Sequence, residues 1–104
     1  MILTACPPVA TTTPEETITE EAQRLVGGDR QADYGHPIED FTRTGRMWAA
    51  ILGLPEVSAE QVALCMVGVK ISREVNRPKR DNRVDGVGYL LCLDRIRNRR
   101  AGLE

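Results

Sequence analysis

Ser58-Ala59-Glu60-Gln61-Val62-Ala63-Leu64-Cys65-Met66-Val67-Gly68-Val69-Lys70-Ile71-Ser72-Arg73 is the stretch that decides the fold. Its first four residues fit a capping box, in which the serine oxygen and the glutamine side chain satisfy N–H groups that have no partner inside a helix. Val62, Cys65, Met66, Val69 and Arg73 then fall on one helical stripe. Ala63, Val67, Lys70 and Ile71 widen that stripe almost all round, and such a helix is expected at the centre of a fold. It must stop before Pro78, which removes a backbone donor. No stretch of the chain alternates apolar and polar residues as a half-buried strand does.

The same grammar extends outward. Before this helix, Pro37 to about Leu52 carries Ile38, Phe41, Gly45, Trp48, Ala49 and Leu52 at helical spacing, and Gly53 and Pro55 close it. After it, roughly Asp81 to Arg99 presents Val84, Val87, Leu91 and Ile96 as a core face, with Leu90 and Leu93 beside it. Arg95, Arg97, Arg99 and Arg100 crowd its end, where the helix dipole favours cations. Nearer the start, Ile18, Ala22, Leu25 and Val26 form an apolar stripe that ends at Gly27-Gly28. Thr13 and Thr17 each begin a capping box for it, and the acids that follow suit the dipole. Short links favour antiparallel neighbours, so the sequence predicts an all-α, compact four-helix arrangement over residues 14–100. Residues 1–13, with Pro7, Pro8 and three consecutive threonines, read as a flexible tail.

Composition narrows the function classes. The 104 residues suffice for one domain, and a domain this small often leans on self-association. Leu90, Leu93 and Trp48 are candidates for a subunit interface. A formal net charge of −1 argues against a general nucleic-acid binder. No stretch reaches the roughly 20 apolar residues of a membrane span, and the start lacks the pattern of a signal peptide. Cys6, Cys65 and Cys92 sit at no metal-binding spacing. Cys65 and Cys92 lie in apolar runs and read as reduced core residues, which favours a reducing compartment such as the cytoplasm.

The polar residues that break the apolar pattern are the candidate site. The segment Gly27 to His36 reads as a loop, and Arg30 and His36 beside the next helix start make a plausible anion site. Against that, His36 fits the N-cap of that helix. Lys70 and Arg73 interrupt an apolar helix, which is costly unless their charges are paired or reach water. Asp81, Asp85 and Tyr89 share one face at four-residue spacing. If the two helices form a hairpin, the cations face these carboxylates, as a ligand site or as an ion network that fixes register. Asp81 and Asp85 at this spacing also suit Mg²⁺ in principle. Trp48 and Met47 read as core or interface.

The run Ala22 to Phe41, with Met47-Trp48, Val62 to Met66, Lys70, Arg73, Asp81 and Val84 to Tyr89, resembles an uncharacterised family of small proteins encoded by phages and prophages, including those of actinobacteria. The resemblance covers about residues 18–97 and implies a helical fold and a phage source. Its recurrent polar residues correspond to Asp29, Arg30, Tyr34, Gly35, Lys70, Arg73, Asp81, Asp85 and Tyr89. The chain is more loosely similar to the all-α, Mg²⁺-dependent nucleotide pyrophosphohydrolases of the MazG type. It lacks their Glu-x-x-Glu, and Asp81 and Asp85 have a different spacing from their second acidic pair.

Three functions follow as expectations. The leading one is a non-catalytic binder of a nucleotide or other phosphorylated ligand, without a cofactor, built from Asp29, Arg30, Tyr34, His36, Lys70, Arg73, Asp81, Asp85 and Tyr89. In it Arg30, Lys70 and Arg73 meet phosphate, Tyr34 stacks on a base and Asp85 orients the cations. The phage resemblance suggests sequestering a host defence signal in the host cytoplasm. The alternatives are a divergent Mg²⁺-dependent pyrophosphohydrolase and a module that binds a host protein, with the polar cluster structural.

Overall fold

A computed structural model describes residues 15–104, and of Asp29 its backbone alone. The expected tail, Cys6 and the Thr13 cap lie outside the described residues. The structure is helical throughout its ordered elements: α1 Ile18–Gly27, α2 Asp29–Tyr34, α3 Pro37–Leu52, α4 Ala59–Asn76 and α5 Arg80–Arg100.

Each long helix begins and ends for a local reason. Thr17 caps α1 with a complete capping box to Glu20. His36 caps α3, its Nδ1 accepting from the Ile38 N–H at 3.1 Å. Pro37 takes the first helical position, and Gly53 ends α3 in the left-handed conformation at φ 68°. Ser58 and Gln61 form the reciprocal cap of α4. α5 starts without a side-chain cap at Lys79 and ends with Arg97, Arg99 and Arg100 in its last turn.

α2 corrects the expected loop. Its six residues, Asp29–Tyr34, contain no glycine, proline or β-branched residue. Arg, Gln and Ala are good helix formers. The glycines that read as loop punctuation are instead its two ends, and Gly35 closes it at φ 81°. Gly28 gives it no side-chain cap, and none of its described side chains is buried.

The ion pairs reveal how the helices run. Lys70–Asp85, Glu74–Arg83 and Glu60–Arg100 pair falling numbers on α4 with rising numbers on α5, so the two form an antiparallel hairpin. Gly45 of α3 sits against Val57 and Val62, at the start of α4. α1 runs with α5: Glu21 meets Arg80 early, while the Val26 side chain faces Gly88 and its carbonyl accepts from Arg95. α1 and α3 therefore follow one another along α5, and α2 bridges them.

The core lies where these layers overlap. Val26, Phe41, Ala59, Val62, Ala63, Cys92 and Ile96 form one buried cluster. Trp48, Leu91 and Leu93 pack partly against it, whereas Leu90 is half exposed. Two expectations change. Cys65 is exposed rather than core. And α4 is not central along its length: only Ala59, Val62 and Ala63, all in its first turns, are buried.

Two predictions follow from this packing. A Cβ at Gly45 would run into the Val57 carbonyl, so Gly45→Ala should cost about 1–3 kcal/mol in chemical denaturation, as overpacking does. The Glu60 carboxyl is held below its ordinary value of 4.5, first by its hydrogen bonds with Arg100. A depressed acid stabilises the fold above its unfolded value and loses that contribution as pH falls through the folded one. The melting-temperature gap between wild type and Glu60→Gln should therefore be present at neutral pH and close on acidification below 4.5.

Candidate functional site

The overlap of α1, α2, α3 and α5 leaves a narrow cleft. Its walls are Leu25 and Val26 from α1, Arg30, Gln31 and Tyr34 from α2, Asp40 and Phe41 from α3, and Asp85, Gly88, Tyr89 and Cys92 from α5. Gly88 faces α1, its Cβ position lying at ordinary contact distance, 3.6 Å, from the Val26 side chain. Phe41 and Tyr89 form the floor with ring centroids 6.0 Å apart and planes tilted by 38°. The room inside is about 40 Å³, close to that needed by a few waters at most.

Asp85 joins the cleft to the α4–α5 hairpin. One of its oxygens meets Lys70 Nζ at 2.9 Å, and the other lies 3.7 Å from an Arg30 nitrogen. The Lys70 and Asp85 side chains retain 14% and 21% of their exposure, whereas Arg30 retains 44%. Lys70 is thus committed to Asp85, and the longer, more exposed Arg30 contact is the one that an incoming anion can compete for. Gly86 lies beside this seam, its Cβ position 3.9 Å from Lys70 Cβ.

The predicted set is therefore split. Arg30, Tyr34, Asp85 and Tyr89 line the cleft, and Lys70 stands behind Asp85. Arg73 and Asp81 are exposed, outside the cleft walls, and pair with nothing among the described residues. Asp29 starts α2, but its side chain is not described. His36 is buried and belongs to a different network: with Nδ1 accepting, its ring proton sits on Nε2 and donates to Glu104 at 2.9 Å. Arg95 also donates to Glu104, to the Gln31 side chain and to the Val26 carbonyl. The Glu104 carboxyl is held below its usual range by His36 first and Arg95 second.

Sequence reasoning missed Gln31, Asp40, Phe41 and Arg95 as neighbours of the site. Arg95 was findable, because it follows Cys92 by three residues and so shares the inward face of α5. Asp40 and Phe41 were hidden by the loop reading, which did not bring the start of α3 to the cleft. Cys92 adds no nucleophile: burial pushes its thiol up to about 11, so it stays protonated. Among the described residues no three His, Cys, Asp or Glu side chains group to hold a metal ion. No helix there is long and apolar enough to cross a membrane.

Comparison with known proteins places the chain. Residues 17–97 match the family model of the domain of unknown function DUF6378. The chain belongs to this family. The Gene 55 protein of Mycobacterium phage D29 is 40% identical over 82 residues, which is 78% of this chain and 54% of that protein. The Gene 55 protein of Mycobacterium phage L5 is 32% identical over 81 residues, 77% of this chain and 52% of its own. The chain thus spans about half the length of these phage proteins. No solved structure matches it. The family is an uncharacterised one with phage-encoded members, which agrees with the resemblance seen in the sequence.

The seam yields a direct prediction. Removing one partner of a largely buried ion pair strands the other, at a cost on the order of 3 kcal/mol. Lys70→Met and Asp85→Leu should each destabilise by that order. The double variant should lose less than the sum, with a coupling of about 1–3 kcal/mol in a double-mutant cycle by urea denaturation.

Proposed function

We propose that the cleft binds a small aromatic ligand carrying an anionic group, of the nucleotide class, without turning it over. The carrying observation is the pairing of an aromatic floor, Phe41 and Tyr89, with a half-exposed guanidinium, Arg30, on the same cleft. Rings accept the flat face of a base, and a guanidinium takes phosphate oxygens in a fork. On the wall, Asp40 supplies an acceptor for a base edge, and the Gln31 amide nitrogen a donor, its oxygen being held by Arg95. With Lys70 engaged and Arg73 outside, one cation faces the ligand, which favours one phosphate over a polyphosphate chain.

Two features favour binding over chemistry. The Cys92 thiol stays protonated, and Asp85 is engaged by Lys70. The hydrolase alternative asks for Asp81 and Asp85 together, and only Asp85 lines the cleft. A ligand larger than a few waters must displace a wall, and α2 is the wall built to move: six residues, uncapped by a side chain, with Arg30 and Tyr34 exposed. In a phage-encoded protein such binding would serve to sequester a host nucleotide signal.

Calorimetric titration with nucleoside mono-, di- and triphosphates tests the reading. At least one nucleotide should bind and be recovered unchanged. Arg30→Ala should weaken it about tenfold, or 1.4 kcal/mol, for loss of one charge-assisted contact. Tyr34→Ala should weaken it as well. If none binds at millimolar concentration to the folded protein, the reading fails and the Lys70–Asp85 cluster stands as a structural lock.

A further inference from the structure

Past the end of α5 the chain turns back on itself. Gly102, at φ 77°, makes the turn, and the Leu103 N–H donates to the Asn98 carbonyl at 2.8 Å. Glu104 is thereby set beside Arg95, nine residues earlier. Three donors converge on one oxygen of its carboxylate: His36 Nε2 at 2.9 Å, Arg95 Nη2 at 3.0 Å and Arg95 Nε at 3.2 Å. The remaining nitrogen of the same guanidinium, Nη1, donates to the Gln31 side chain and to the Val26 carbonyl. One guanidinium thus links Glu104 to the middle of α2 and the end of α1. Other side-chain contacts of α2 are long or exposed: Arg30 lies 3.7 Å from Asp85, and Arg43 reaches the Tyr34 carbonyl at 3.3 Å. Gln31 matters twice to α2, because its own carbonyl accepts the Gly35 N–H that closes the helix.

We infer that Arg95 and Glu104 form a latch that holds α2 shut over the cleft and so opposes ligand entry. The geometry of the latch stands by itself, and its effect on binding rests on the reading of the cleft as a ligand site. Neither residue lines the cleft, so both act as positioning residues. An arginine gives up much rotamer freedom to hold one nitrogen in place. Glu104 fixes Nε and Nη2 together, and because the group is planar, that leaves Nη1 set for Gln31. His36 anchors the carboxylate in turn, its ring 4% exposed and tied to the Ile38 N–H through Nδ1. Moving α2 off the cleft breaks the Arg95–Gln31 bond. A ligand that needs α2 displaced therefore binds against the latch, and its apparent affinity scales with the fraction of molecules already open. Removing Glu104 raises that fraction and tightens binding, the reverse of losing a ligand contact.

Native-state amide exchange of the full chain tests the latch without any ligand. The Ala32 and Gly35 amides bond to the Gly28 and Gln31 carbonyls and report the opening of α2. In Glu104→Ala they should exchange about threefold faster, the scale of a partly exposed ion pair. Gln31→Ala, which cuts the latch at α2, should also speed the Ala32 amide, and Glu104→Ala added to it should change that rate no further. Calorimetric titration with a nucleotide that binds the wild type should show Glu104→Ala binding it tighter by a like factor. A contact that only supports the fold would speed the amides that exchange through global unfolding and leave Ala32 and Gly35 alone, and that result overturns the inference. So does a Glu104 effect on the Ala32 amide that persists in full without the Gln31 side chain. Weaker nucleotide binding by Glu104→Ala overturns the inhibitory sense of the latch. If no nucleotide binds, the cleft reading alone fails, and the exchange rates still decide whether the latch exists.

Discussion

The Lys70–Asp85 ion pair is the constraint on which the geometry of this molecule turns. It joins the middle of α4 to the first half of α5 at 2.9 Å, with both side chains mostly withdrawn from water. Desolvating two charges is unfavourable, and their attraction offsets that loss only with close geometry. Such a pair contributes less net stability than specificity of register. A slide of one helix turn along the hairpin would leave both charges buried and unpaired. Glu74–Arg83 and Glu60–Arg100 flank the pair in the same antiparallel order, so three contacts define a single alignment.

The rest of the fold is hung on that alignment. With α5 fixed, α1 packs along it from Arg80 to Arg95, and α3 joins it at Tyr89 through Phe41 and continues to the cluster with Val62 and Ile96. The two helices run in series rather than side by side, so a short bridge must join them across the face of α5. α2 is that bridge, and the cleft is the space beneath it. The same serial layout strips cover from the far half of α4. One choice, two helices sharing the length of α5, thus creates both the cleft and the uncovered apolar face.

Much of this was legible because it rests on local chemistry. Thr17, Pro37, Gly53 and Ser58 mark the ends of α1, α3 and α4 through caps and turn preferences that depend on neighbours a few residues away. Lys70 stood out because a cation in an apolar helix needs a partner, and Asp85 is the acid that the hairpin brings opposite it. Other features depend on tertiary layout. α2 reads as a loop in the sequence because Gly28 and Gly35 punctuate it, and nothing local says that six residues, three of them good helix formers, suffice between them. The apolar circumference of α4 suggested a central helix. It could not show that burial stops after Ala63, which leaves Cys65 and Ile71 exposed. His36 and Arg95 meet through Glu104, far away in sequence, so no spacing announced that network.

The molecule is a frame pinned at Lys70–Asp85, and the short α2 is its least secured wall. Native-state amide hydrogen exchange reads the free energy of opening residue by residue. Amides around Lys70 and Asp85 should exchange only through global unfolding. Those of Ala32 to Tyr34 in α2 should open several kcal/mol more easily, because a single short turn has little stability of its own. Equal protection in α2 and in α5 would contradict it, and so would a hairpin that opens at Asp85 before the molecule unfolds.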